Sequence, residues 1–92
     1  MTDSMLDEVR ADRGRFIGAW FERCSLRGAS FRDANLLKAC FREADLRGGD
    51  LRAADLRRTH FDRSDLRGVN FRGCDTQGLR LDAVSVFGPP AR

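Results

Sequence analysis

The stretch "ADLRGGDLRAADL", residues 44–56, sets Leu46, Leu51 and Leu56 five residues apart. Each leucine follows an aspartate, and a small residue precedes that aspartate. A spacing of five suits neither regular element. An α-helix completes a turn in about 3.6 residues, so a step of five carries successive leucines about 140° around the barrel. A straight strand alternates its faces, so an odd step puts successive leucines on opposite sides. The spacing converges on one core only if the chain turns a corner after every unit. Four corners per coil return every large residue to a common axis.

The register extends far beyond the quoted stretch. Large apolar residues recur from Phe16 to Val86 at five-residue steps, and only Thr76 breaks the series. Two residues earlier in each unit the side chain is small, as at Ala29, Ala34, Ala39 and Ala44, until Val69, Leu79 and Val84 enlarge it. Both positions point inward, where space is short. The glycines obey the same frame. Gly18, Gly28, Gly48, Gly68, Gly73, Gly78 and Gly88 lie at the corner after the large residue, and Gly14 and Gly49 take the small inward position. Corners favour glycine because tight turns call for positive φ. A register kept over so many units is an internal repeat.

"ANLLK" (34–38), "ADLRG" (44–48), "AADLRR" (53–58) and "SDLRG" (64–68) closely resemble the A(D/N)LXX consensus of the pentapeptide repeat family. The resemblance covers residues 14–88. It implies an all-β solenoid, a right-handed quadrilateral β-helix of twenty residues per coil and just under four coils.

The remaining segments read as ends. Residues 1–13 read as a short N-terminal capping helix, with Ser4 as N-cap, Asp7 near the capping-box position and Met5, Leu6 and Val9 on one face. Such a helix would lie over the first coil and shield Phe16 and Phe21. Residues 89–92 form a C-terminal tail, in which Pro89 and Pro90 stop further strand pairing.

Composition bounds the function. The 92 residues suffice for one small domain, and the net charge of +3 is mildly basic. No apolar run approaches the ~20 residues that cross a bilayer, and the acidic "MTDSMLDEVR" lacks an apolar signal core. Three cysteines, an odd count without a CxxC pair, fit a reducing compartment. The expected location is the cytoplasm. The sequence holds no Walker loop, dinucleotide glycine fingerprint or GxSxG motif, and the expectation is a non-catalytic protein without cofactor or metal.

Stacking every fourth unit predicts the outer columns. Arg27, Arg47 and Arg67 form one, and Arg32, Arg52 and Arg72 the next. Stacked like charges repel. The second strip reads either as a solvated, salt-bridged surface or as a contact for an acidic partner. The absence of interleaved exposed aromatics argues against direct nucleic-acid binding. Trp20, Cys40, His60 and Arg80 share a further outward column. Trp20 there is either covered by the N-terminal helix or an anchor for a partner. Cys40 and His60 become stacked neighbours, but they lack a third orienting group and sit on a convex face, so no catalytic or metal site is assigned. Cys24 and Cys74 take the small inward position as fillers.

The last coil becomes more apolar. Leu79, Leu81, Val84, Val86 and Phe87 form a candidate interface for a twofold, end-to-end homodimer; the alternative is that Phe87 and Pro89 fold back and cap the coil. The functional expectation is a protein–protein interaction or scaffolding module. The family resemblance implies an alternative: some bacterial members resemble duplex DNA, bind DNA gyrase and protect it from quinolones or toxins. That role uses a strongly acidic surface, which a net basic chain does not offer.

Overall fold

In the computed structural model, which describes residues 1–84, the five-residue register generates a solenoid. Within each unit the small residue and the large residue two positions later are on the same side of an extended segment. Both are buried, as in Ala44 with Leu46 and Ala54 with Leu56, while the residue between them faces outward. The chain is a right-handed quadrilateral β-helix. Its one continuous sheet holds β1 (Trp20–Glu22), β2 (Cys40–Arg42), β3 (His60–Asp62) and β4 (Arg80–Asp82), parallel and in that order. The register Trp20↔Cys40↔His60↔Arg80 sets twenty residues per coil. The other three faces pair through single bridges such as Ser25↔Asp45↔Asp65.

Backbone hydrogen bonds run along the tower axis. Asp45 N–H donates to Cys24 O in the coil below at 3.0 Å, and Leu46 N–H donates to Asp65 O in the coil above at 2.9 Å. On three faces the corner is closed by a bond such as Ala29 N–H to Leu26 O at 3.1 Å or Ala39 N–H to Leu36 O at 2.9 Å. The second corner residue has positive φ, 67° at Gly28 and 61° at Lys38, as a type II turn requires. Among the described residues, the corner after each strand lacks this bond. After β2 the inward small residue of the next coil takes over. Ser64 Oγ accepts from Ala44 N–H at 3.2 Å and donates to Phe41 O at 3.1 Å. Thr59, buried in another column, donates to Leu36 O at 2.6 Å. Buried hydroxyls are thus spent on main-chain groups, which removes the cost of an unpaired polar atom.

The core above the sheet is an aromatic ladder. Phe21 and Phe41 stack at 4.7 Å between centroids and 6° between planes, and Phe41 and Phe61 at 4.9 Å and 16°. The ring spacing matches the ~4.8 Å between parallel strands, so the backbone imposes the stack.

The expected capping helix over residues 1–13 is not formed. This segment is instead a further coil of the same solenoid, bridged at Met5↔Ser25 and Arg10↔Ser30. Leu6 N–H donates to Ser25 O and Glu8 N–H to Arg27 O, both at 2.7 Å. A short isolated helix is marginal in water, whereas pairing with a preformed edge satisfies the same donors. Asp7, expected near a capping box, accepts from Ser25 Oγ at 2.5 Å and from Arg27 N–H at 3.0 Å. The tower therefore has just over four coils within the described residues, not just under four. Phe16 is half-buried, and among the described residues no helix covers it. The tail at residues 89–92 lies outside the described residues.

Two substitutions test this register. Leu46 is fully enclosed, and Leu46→Asp should abolish the cooperative unfolding transition, because an unpaired buried carboxylate costs several kcal/mol. Ala53 adopts φ 59° on the surface. Ala53→Gly should raise stability in urea by roughly 0.5–1 kcal/mol, as the left-handed cost of about 1–2 kcal/mol outweighs the extra freedom of glycine in the unfolded chain.

Candidate functional site

The outer surface is organised by an aspartate one residue before the large inward residue and an arginine one residue after it. Asp45 Oδ1 accepts the backbone N–H of Arg47 at 3.1 Å, and its carboxylate takes the guanidinium as a fork, Nε at 2.9 Å and Nη2 at 2.7 Å. The same arrangement recurs at Asp50–Arg52, Asp55–Arg57 and Asp65–Arg67. The carboxylate closes the turn locally while the fork holds the side chain over it. The units of Leu26 and Phe31 carry serine at this position, Ser25 and Ser30. There the coil below supplies the acid: Asp7 serves Ser25 and Arg27, and Asp12 serves Ser30 and Arg32. Sequence reading missed this exchange, whose signal is an aspartate just after the inward position, eighteen residues before the serine and twenty before the arginine of a "SLR" or "SFR" unit.

The expected partner-binding strip is placed accordingly. Arg52 is held by Asp50 at 2.7 Å, and Arg32 lies 3.8 Å from Asp12. Arg72 differs. Its unit carries Asn70, whose Oδ1 accepts the Arg72 N–H at 3.0 Å but brings no charge. Among the described residues, Arg72 has no carboxylate within 4.0 Å. Trp20 is 50% exposed at the outer edge of β1.

Cys40 and His60 are strand partners, as the column spacing predicts. The imidazole, however, is engaged elsewhere: His60 Nε2 lies 2.6 Å from Asp82 Oδ2, which also contacts Arg80 at 3.5 Å. Burial, followed by the charge of Asp62, pushes the Cys40 thiol above its ordinary range, so it is a weak thiolate source. Cys24 is buried and Cys74 half-buried at inward positions, and burial raises Cys74 as well. Among the described residues, no three His, Cys, Asp or Glu side chains cluster as metal ligands, and no helix is long and apolar enough to cross a membrane.

The candidate interface at the last coil is only partly within the described residues. Leu79 and Val84 are half-buried, and Leu81 is 45% exposed although Phe21, Phe41 and Phe61 beneath it are buried. Val86 and Phe87 lie outside the described residues.

A family model described as a pentapeptide repeat region matches residues 3–88. The chain belongs to the pentapeptide repeat family. Its fold is shared by HetL, a pentapeptide repeat protein involved in heterocyst differentiation regulation in the cyanobacterium Nostoc sp. strain PCC 7120, at a TM-score of 0.60 and 24% identity over 83% of this chain and 38% of that one. Rfr23, a pentapeptide repeat protein of the cyanobacterium Cyanothece 51142, matches at 0.57 and 24% identity over 89% of this chain and 53% of its own. QnrB1, a plasmid-mediated fluoroquinolone resistance protein, matches at 0.58 and 18% identity over 91% and 51%. The chain thus spans between about two fifths and about half of these structures. No curated protein matches it significantly.

The aspartate forks make stability depend on acid. Hydrogen bonds from the partner guanidinium, then from the backbone N–H, hold the carboxyls of Asp45, Asp50, Asp55 and Asp65 below the usual carboxylate range. A lowered folded-state pKa contributes stability above the unfolded value of about 3.9, and that contribution is lost as pH falls through the folded value. The melting temperature should be flat from about pH 7 to 5 and drop below about pH 4. Each exposed pair contributes little, so the drop should be gradual; no change down to about pH 2 would contradict the forks.

Proposed function

We propose that this pentapeptide repeat protein is a non-catalytic module for protein–protein interaction, acting in the bacterial cytoplasm and self-associating through its C-terminal coil. The observation that carries this reading is the exposure of Leu81 at the top of a column in which Phe21, Phe41 and Phe61 are buried. A solenoid end carries unpaired backbone groups as well as core side chains, and such an edge is ordinarily covered. Leu79 and Val84 extend the same edge, and Val86 and Phe87 follow them in the sequence. Trp20 supplies an exposed aromatic anchor on the strand face, the residue type most enriched at binding hot spots. Arg72, with Arg32 and Arg52 beside it, offers an electrostatic contact to an acidic protein surface. Three unpaired cysteines suit a reducing compartment.

The gyrase-binding alternative draws on the shared fold with QnrB1. It needs an acidic face, whereas the net charge is +3 and most outward aspartates are already bound to arginine.

Sedimentation at tens of micromolar decides the self-association. The wild type should run as a dimer and Leu81→Arg as a folded monomer. A monomeric wild type would refute the end-to-end pairing. A supercoiling assay addresses the alternative: protection of gyrase from a quinolone would replace the present reading.

A further inference from the structure

The face built on Phe16, Leu36, Leu56 and Thr76 carries a groove of about 500 Å³ lined by Leu37, Lys38, Arg57, Arg58, Gln77 and Gly78. Three of these are cations and none is a carboxylate. Lys38 and Arg58 hold the same corner position in consecutive coils, with φ of 61° and 57°. Their side chains therefore leave the backbone from equivalent points about 4.8 Å apart.

The position explains why they stay free. In the Leu56 unit the aspartate is taken by the arginine after the large residue, and in the Leu36 unit Asn35 stands in the aspartate's place and brings no charge. Asp55 binds Arg57 through Nε at 2.9 Å and Nη2 at 2.8 Å. Asp75 also lies 3.9 Å from Arg57 Nε. Among the described residues, neither Lys38 nor Arg58 has a carboxylate within 4.0 Å. On the strand face the equivalent corner cations are neutralised from the coil below, Arg23 by Asp3 at 2.7 Å and Arg63 by Glu43 at 3.7 Å. Above Arg58 stands Gly78, where an added Cβ would come within 3.2 Å of Arg58 Cγ. The glycine leaves that side chain room to lie across the corner. The fork to Asp55 engages Nε and Nη2 of Arg57 and leaves Nη1 available.

Two like charges stacked one coil apart repel each other, and an anion between them removes that repulsion. A guanidinium recognises phosphate oxygens through directed paired donors and an ammonium as a point charge. The groove is within the size range of small-ligand sites, about 300–1,000 Å³. We propose that this groove binds a small phosphorylated ligand bearing two linked phosphoryl groups, held by Lys38 and Arg58 with Arg57 Nη1 assisting. A nucleic-acid strand is disfavoured because the outward column beside the cations is Ile17, Leu37, Arg57 and Gln77, with no aromatic to stack on bases. Lys38 and Arg58 stand below the last coil and on a different face from Trp20, and the proposed end-to-end pairing uses neither of them, so failure of the site leaves the partner reading untouched.

Two sources share this chemistry, inorganic pyrophosphate and a nucleoside diphosphate. Calorimetric titration of the full chain at about 50 mM salt with pyrophosphate, and separately with ADP, tests the site. Saturable binding of either is expected; equal affinities mean that only the phosphoryl groups are read, and tighter ADP means that the nucleoside is read too. Lys38→Ala with Arg58→Ala should weaken binding roughly tenfold or more. Both residues are exposed, so the melting temperature should hold. Arg58→Lys should retain most of the affinity, and Arg52→Ala all of it. The proposal is overturned if neither ligand binds the folded wild type up to about 10 mM, or if the double variant binds within about twofold of it. It is also overturned if an oligoglutamate peptide binds through these two residues while pyrophosphate does not, which would assign the groove to an acidic protein.

Discussion

Every fifth residue from Asp3 to Ala83 takes a left-handed backbone conformation, with φ between 51° and 76°. This is the constraint on which the solenoid rests, because a chain without it would run on as a strand and scatter its leucines over two faces. Most of these corners are not glycine. Charged and small residues such as Glu8, Lys38, Ala53 and Arg63 adopt the conformation at a cost of about 1–2 kcal/mol each. The cost is met collectively. Each corner places two side chains in the core and aligns its peptide groups with the coils above and below, so the strain at one position is held by hydrogen bonds at others. The six described glycines with positive φ relieve it where they occur.

The outer surface follows from the same geometry. A corner that must be held is held from outside by the aspartate before the large residue, and the arginine after it folds back onto that aspartate. Charge that looks free in the sequence is therefore largely structural. What remains for recognition is whatever the corner chemistry leaves over: an arginine whose unit carries asparagine, as at Arg72, or a cation at the corner itself, as at Lys38 and Arg58. A fold with strict periodic demands reports its function through departures from the period.

The core was legible from sequence for the same reason that the function was not. Inward positions obey a two-residue rule within each unit, and nothing else about Leu46 or Phe41 has to be known to place them. The N-terminal segment was misread because Leu6 and Val9 satisfy helical spacing as well as the five-residue register, while Met5, which joins them on a helical face, projects outward in the coil, and only the availability of a paired edge at Ser25 and Ser30 decides between them. The stacking of Cys40 over His60 was legible from column spacing, but the turn of His60 toward Asp82 was not, since it depends on side-chain rotation. The arginine ladders were legible as columns. Their neutralisation was partly hidden, because Asp7 and Asp12 act across a coil boundary rather than within a repeat.

That crossing of the coil boundary has an evolutionary corollary. The visible repeat is five residues, yet the partners in the phenylalanine ladder, the strand register and the Asp7–Ser25 exchange are separated by about one full coil. Inserting five residues would keep every corner intact while rotating all later columns by one face, setting Phe41 over a leucine column and parting each borrowed aspartate from its serine. Inserting twenty would preserve the columns. The protein is thus expected to lengthen or shorten by whole coils, and gene duplication in this lineage should leave its traces in blocks of four repeats rather than one.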